Sequence, residues 1–446
     1  YNLIQKLDDG CGILYNTKSG SIIEVQNEEY VSVQKILEDV NNNVTSDTFR
    51  VLLEEGFIVK KDKDELQEVK DKYLNNFNSN NHLNLVLLPA EYCNFTCEYC
   101  FIYKYGGTSM DESIYSSIKK YIKKRYLKDR STSTPYYVNI GWYGGEPLLK
   151  KQDIITFMRS LKSEFSEFNI RFTSSIITNG YYLDKETFEQ LLDVGIDTFQ
   201  VTFDGPKEYH NLTRRTRDGR GSYDILIKNL KDILKNLGSN QEFEFSLRIN
   251  FLRTYKNEVY GLINELVDIV GGDERFFIYC RPVYNFETTR EDIKEIECDI
   301  YNTEEGLTYQ KDFTDYISKK RNSKKVIRMI NDFLPLPTTS WCSEDNKYSA
   351  IIGANRKVYY CDTLVGDDSV SVGELTFDGD IQYNEIGEEW MKPIFDYENI
   401  EDCEKCRLLP VCMGSCKRNR VEGNSTPCLF DESFIKNLIK EYYLSQ

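Results

Sequence analysis

From residue 84 onward the chain alternates two hydrophobic rhythms. Short apolar or alternating runs at Leu83–Leu88, Tyr137–Tyr143, Arg171–Ile177, Thr198–Phe203, Phe243–Phe251 and Phe276–Cys280 read as strands. Between them, Asp111–Tyr126, Lys185–Asp193, Ser222–Asn236 and Glu258–Ile269 carry apolar residues at helical spacing. Six strand-then-helix repeats predict an α/β fold with a parallel sheet curling into a partial (β/α)6 or complete TIM-like barrel over residues 83–285. Chemistry in such folds sits at the carboxyl ends of the strands.

Residues 1–80 follow a different rhythm. Ile13–Tyr15 and Ile22–Val25 flank Thr17–Gly20 as a hairpin, and helices are predicted over Glu28–Glu38 and from about residue 46 to Glu55, stopped by Gly56. Phe57–Val59 reads as a short strand, so the module is winged-helix-like. Lys61–Asn81 is charged, then Asn-rich, and reads as a helix followed by a linker. Residues 286–340 read as a helical bridge, and 341–446 as a separate cysteine-rich region.

The formal net charge of -16 excludes nucleic acid as an expected partner, because phosphate binding needs a basic surface. No apolar run is long enough to span a bilayer and Tyr1–Gly20 has no signal-peptide pattern, so a cytoplasmic location is expected. Thirteen cysteines in such a chain argue for metal ligation or redox work rather than disulfides. The two histidines, His82 and His210, are too few for a histidine-rich metal site. Cys11, Cys280 and Cys298 are isolated; the other ten cysteines form two arrays.

Cys93-x3-Cys97-x2-Cys100 lies just after the first barrel strand, with aromatic Tyr99 before its last thiol. Three thiols at this spacing can hold three irons of a [4Fe–4S] cube and leave the fourth iron open. Gly144-Gly145-Glu146-Pro147 ends the second strand, Thr178-Asn179-Gly180 the third, and Thr202-Phe-Asp204-Gly205-Pro206 the fourth, continuing through His210 to Arg214. Arg248-x-Asn250 lies on the fifth. Together these residues resemble the radical S-adenosylmethionine (SAM) family, in its peptide-modifying branch. The resemblance implies that Cys93, Cys97 and Cys100 hold a cluster whose open iron chelates SAM. One electron then cleaves the sulfonium to a 5′-deoxyadenosyl radical. It further implies SAM contacts from Tyr99, Gly144, Gly145, Glu146, Pro147, Asn179, Thr202, Asp204, Arg214, Arg248 and Asn250, with Glu146 an acceptor for the ammonium and Arg214 or Arg248 apt for the carboxylate.

Cys403-x2-Cys406-x5-Cys412-x3-Cys416, then Cys428 after 11 residues, with Cys342 and Cys361 upstream, resembles the SPASM domain. Seven residues separate Gly353 from Cys361, more than that pattern usually allows. The resemblance implies two auxiliary [4Fe–4S] clusters: Cys403, Cys406, Cys412 and Cys428 on one; Cys342, Cys361 and Cys416 on the other. With the SAM-binding cluster that makes three. Seven thiolates leave one auxiliary iron open unless Cys280 or another group closes it. Asp362 matches a substrate-side base of the sulfatase-maturing relatives, and Cys280, ending the sixth strand, is the barrel's candidate hydrogen donor for an epimerisation.

The N-terminal module resembles the leader-binding RiPP recognition element, where RiPP denotes a ribosomally synthesised, post-translationally modified peptide. The expected substrate is therefore a precursor peptide, and the expected electron donor a flavodoxin or ferredoxin. The expected product is a cysteine thioether of the sactipeptide or ranthipeptide type. A carbon–carbon or carbon–oxygen link, an epimer, a formylglycine or a non-catalytic electron relay are the alternatives.

Overall fold

A computed structural model describes residues 1–38, 46–100, 102, 107–128, 134–238, 240–283, 303–321, 335–342, 345–423, 428 and 432–444. It divides into two compact units: 80–327 with 348–390, and 1–79 with 328–347 and 391–446. One break falls at 79/80, and residues 341–446 are divided between the two units.

The larger unit is built on β4 (His82–Ala90), β5 (Tyr136–Gly144), β6 (Ile170–Thr178), β7 (Thr198–Asp204), β8 (Glu244–Phe251) and β9 (Phe276–Pro282). Neighbours in sequence are neighbours in the sheet, and all five pairings are parallel. The helices between them are α4 (Glu112–Leu127), α5 (Lys151–Glu164), α6 (Lys185–Asp193), α7 (Lys207–Thr213), α8 (Tyr223–Lys235) and α9 (Val259–Val270), with α10 (Thr303–Arg321) following β9. Side-chain alternation sorts each strand into two faces. Trp142, Phe199, Phe203 and Phe251 point to the helices, meeting Phe157, Phe188, Tyr223 and Phe313 with ring centroids 4.8–6.0 Å apart. Burying each such side chain contributes about 1.5–3 kcal/mol. The opposite, inner face carries Asn84, Asn139, Thr173, Ser175, Gln200, Ser246, Arg248 and Tyr279, a polar wall suited to water or a polar substrate.

The barrel is open. Beyond β4 the sheet continues through β10 (Ala350–Ile352), parallel to β4, then β11 (Lys357–Tyr359), β12 (Gly373–Leu375) and β13 (Ile381–Tyr383), all antiparallel. Its edges are therefore β13 and β9. The β10–β4 pairing is why residues 348–390 join the barrel unit rather than the cysteine-rich tail.

In the other unit, β1 (Asn2–Lys6), β2 (Gly12–Asn16) and β3 (Ile22–Val25) form an antiparallel sheet. α1 (Asn27–Glu38), α2 (Ser46–Glu54) and α3 (Glu65–Phe77) follow. Phe57–Val59 is not the third strand; β1 is. Gly56 takes φ +80°, and the Phe57 and Ile58 amides turn back to the Leu52 carbonyl, capping α2 instead of extending a sheet. β2 is buried throughout because both faces are covered. Leu14 packs with Val33, Ile36 and Leu52. On the other side Leu3, Ile13 and Tyr15 pack with Leu408, Val411, Ile435 and Ile439. Among the described residues no helix is long and apolar enough to cross a membrane.

Candidate active site

The loop after β4 carries Cys93 and Cys97, both buried, and Cys100, partly buried. Phe95, fully buried, pins its middle. The Phe95 amide donates to Cys93 Sγ (3.3 Å), the Thr96 amide to the Arg215 carbonyl (3.0 Å), and the Arg217 amide to the Asn94 carbonyl (2.9 Å). The thiols are thus laced to the segment after α7. Burial, then the charges of Glu146 and Cys97, push Cys93 up to about 12. A thiol in that setting becomes a thiolate when a metal takes its proton's place, which suits a cluster ligand.

Gly144–Gly145 exists to let this loop pass. The Gly145 and Glu146 amides donate to the Ala90 and Tyr92 carbonyls, both at 3.0 Å. Gly144 has φ +112°, and a Cβ on Gly145 would stand 2.3 Å from the Tyr92 carbonyl oxygen. Glu146, wholly buried, accepts from the Leu148 amide (2.9 Å), the Thr178 hydroxyl (2.6 Å) and the Asn179 amide (2.8 Å). The expected ammonium acceptor is engaged by protein donors, and its evident work is holding Asn179 in place. Pro147 opens the short 3-10 helix behind it. Asn179 Nδ2 then reaches Asn94 Oδ1 (2.7 Å) and Cys93 Sγ (3.7 Å).

The second hub is the Tyr99 hydroxyl. It donates to the Asp204 carboxylate (2.6 and 2.7 Å) and accepts from Arg214 Nη1 (2.8 Å) and Asn250 Nδ2 (3.0 Å). Arg248 Nε holds Asn250 Oδ1 at 2.8 Å. Sheet register explains the convergence: Thr202 pairs with Arg248 and Asp204 with Asn250, so all four share the inner face. Burial pushes Asp204 up against the pull of Arg214, Tyr99 and Thr213. Burial works to lower Arg214, but Tyr99, Cys97 and Asp204 outweigh it and hold the guanidinium charged. Arg214 Nε and Asn94 Nδ2 are buried donors with no partner. Orphaned donors beside the cysteine triplet fit a ligand bearing a carboxylate, as SAM does.

His210, fully buried, braces this hub. Its Nδ1 accepts from the Asp204 amide (3.2 Å), so Nε2 carries the proton and donates to Ser222 Oγ (3.0 Å), which donates to the Arg214 carbonyl (2.7 Å). Burial, then Arg214, push His210 well below the usual 6.5. The unfolded chain therefore binds a proton the native state refuses, so this stability is full above pH 6.5 and falls with acidification. Relative to His210→Asn, which keeps an acceptor for the Asp204 amide, the native chain should lose about 1.4 kcal/mol per pH unit below about pH 6. Urea unfolding of both proteins between pH 7 and 5 checks this; parallel curves would refute it.

Cys361 and Asp362 lie in the same unit, and Tyr143, one residue before Gly144 on the inner face of β5, connects them to the site. Burial raises the Tyr143 hydroxyl well above its ordinary value, helped by Asp362, Cys100 and Cys361 and opposed by Arg248. Sequence reasoning passed over Tyr143, although alternation from Trp142 already sends it inward. Cys280 is not at the site. It pairs with Ile249, on the helix-packed face opposite Arg248 and Asn250, and is fully buried near Tyr260 of α9. A hydrogen donor placed there cannot reach a substrate beside Tyr99.

The remaining cysteines belong to the smaller unit. Burial, then neighbouring Cys403, Cys406 and Cys428, push Cys412 up to about 11 against the Gly414 amide, so those four thiols share one neighbourhood. Cys342 lies within electrostatic reach of Lys417, next to Cys416. No three Cys, His, Asp or Glu side chains among the described residues are set to grip one metal ion. Cys298 lies outside the described residues.

Residues 87–257 match the radical SAM superfamily. The chain is 22% identical over 352 residues to the cysteine-type anaerobic sulfatase-maturating enzyme of Clostridium perfringens, covering 76% of this chain and 90% of that one. Among solved structures, native anSMEcpe with bound AdoMet and Cp18Cys peptide superposes with TM-score 0.57 at 19% identity, over 82% of this chain and 97% of that one. Streptococcus suis SuiB bound to precursor peptide SuiA superposes with TM-score 0.51 at 16% identity, over 94% of each chain. The chain carries a radical SAM domain and shares its fold with these proteins.

Proposed function

We propose that this radical SAM enzyme acts on a ribosomally made precursor peptide and closes a thioether between a cysteine sulfur and a carbon of that peptide. The carrying observation is the setting of Tyr143: it packs with Cys100 of the SAM triplet against one apolar cluster, and Arg248, Cys361 and Asp362 lie within electrostatic reach of its hydroxyl. A substrate on the polar inner face would touch both ends of that set of residues. The β1–β3 sheet with its three helices supports a role in gripping a leader, since an extended peptide can add to a sheet edge through main-chain hydrogen bonds. Anchoring the leader keeps the target carbon within reach of the site.

When bound, the cluster of Cys93, Cys97 and Cys100 with SAM supplies hydrogen-atom abstraction. The chain's own groups do the rest. Arg214 and Asn94 offer the orphaned donors for the SAM carboxylate. Asp362 would take the thiol proton. Closing the sulfur–carbon bond leaves one electron, which an iron–sulfur cluster held by the C-terminal cysteines would accept. Cys403, Cys406, Cys412 and Cys428 would hold such a cluster, a cube spacing its thiolates more widely than a single ion would. Formylglycine is the second reading, favoured by Asp362 beside Tyr143 and by the sulfatase-maturating relatives.

Mass spectrometry of a candidate precursor, incubated with reduced enzyme and SAM, decides. Loss of two hydrogens with the cysteine closed to alkylation is the expected result. Loss of the cysteine sulfur and two hydrogens with gain of one oxygen, leaving an aldehyde, would establish formylglycine instead. SAM cleavage with every cysteine-containing precursor from the gene neighbourhood unchanged would overturn the peptide reading.

A further inference from the structure

The short helix Lys417–Val421 presents Arg420, which is buried and fixed by backbone. Its Nη1 donates to the Asn399 carbonyl, and Nε and Nη2 donate to the Gly414 carbonyl at 3.3 and 2.9 Å. The remaining direction of the fork is aimed at sulfur: Nη2 donates to Cys403 Sγ at 3.0 Å. The turn that offers the Gly414 carbonyl is unusual. Met413, Gly414 and Ser415 run at φ +45°, +77° and +75°, and a Cβ on Gly414 would meet Ile400 at 2.6 Å. Such backbone persists where surroundings over-determine it, and here it orients one guanidinium.

A buried cation needs an anion. Among the described residues no carboxylate forms an ion pair with Arg420, while the Cys403 sulfur lies at hydrogen-bond distance and would carry negative charge as a cluster ligand. We infer that Arg420 is a positioning residue that fixes the Cys403 sulfur through this N–H···S contact and would raise the reduction potential of a cluster bound by Cys403, Cys406, Cys412 and Cys428. This rests on the auxiliary-cluster reading above. A charged N–H donor on a ligating sulfur draws negative charge from it and favours the state with the extra electron. Such a cluster would take up the one electron released when the sulfur–carbon bond closes and pass it to a carrier of the flavodoxin or ferredoxin class.

The test uses the full chain with Cys93, Cys97 and Cys100 changed to alanine, so that only auxiliary clusters remain. Iron content and Mössbauer spectra come first; an iron-free but folded protein would remove the auxiliary-cluster reading and Arg420's role with it. In an iron-replete protein, redox titration followed by electron paramagnetic resonance is repeated with Arg420→Lys and Arg420→Gln. Both variants should titrate at more negative potential, Gln further than Lys. An unchanged potential with full iron overturns the inference alone. Because either variant can lose its cluster, pulsed resonance on the unsubstituted protein labelled with 15N-arginine provides a second reading. A nitrogen coupled to the reduced cluster supports the inference, and its absence refutes it.

Discussion

Asp204→Ala should destabilise the barrel unit by about 3–5 kcal/mol and abolish tight SAM binding, because it strands a buried cation. Asp204 is wholly buried and Arg214 nearly so. Their charges meet directly only at 3.9 Å, with the Tyr99 hydroxyl bridging them at closer range. Without the carboxylate, Tyr99 loses its acceptor, Thr213 loses a 2.8 Å partner, and the guanidinium keeps no counter-charge except the cysteine triplet. Asp204→Asn retains an oxygen for the Tyr99 proton and should fold better while still losing the charge. Urea unfolding and equilibrium dialysis of SAM separate the two effects. Native-like stability of Asp204→Ala would show that Arg214 has another anion, and the hub described above would be wrong.

Gly145→Ala should strip iron from the SAM-binding cluster with only modest loss of overall stability. The added methyl would sit 2.3 Å from the Tyr92 oxygen, 2.4 Å from its carbonyl carbon and 3.0 Å from the Cys93 amide. These are backbone atoms leading straight into the first ligand, so the strain is relieved by moving Cys93 rather than by rotating a side chain. Overpacking of this kind costs about 1–3 kcal/mol, enough to displace a loop without unfolding a domain. Gly141→Ala, four residues earlier on β5, is the matched control: its Cβ would meet Val86 and Ser175 at 3.6 and 3.7 Å, ordinary contacts. Iron bound per chain, measured on both proteins, should fall only for Gly145→Ala.

What was readable from sequence follows from the range over which each signal acts. The six barrel strands stand within two residues of their predicted bounds because alternation is a local pattern with strong apolar markers such as Trp142 and Phe199. α5 escaped because it follows directly on the 3-10 turn Pro147–Lys150, with no capping side chain at its start. Phe57–Val59 looked like a strand because it is apolar and β-branched; burial under α2 explains the same residues. Tyr99 illustrates the long-range part. Its spacing before Cys100 marks it as notable, but the partners that define its work lie 105, 115 and 151 residues away. Cys280 fails for a subtler reason: a position at the end of a strand says nothing about which face it occupies until register is known.

The covering of β2 on both faces bears on how this protein is made. Leu3, Ile13 and Tyr15 find their apolar partners in Leu408, Val411, Ile435, Leu438 and Ile439. A ribosome delivers those partners about four hundred residues after the strands that need them. At roughly 5–20 residues per second the first sheet waits tens of seconds with one face bare, an interval in which chaperones or a misplaced strand can claim it. The β1–β3 sheet is therefore finished only once a segment about four hundred residues downstream has been made.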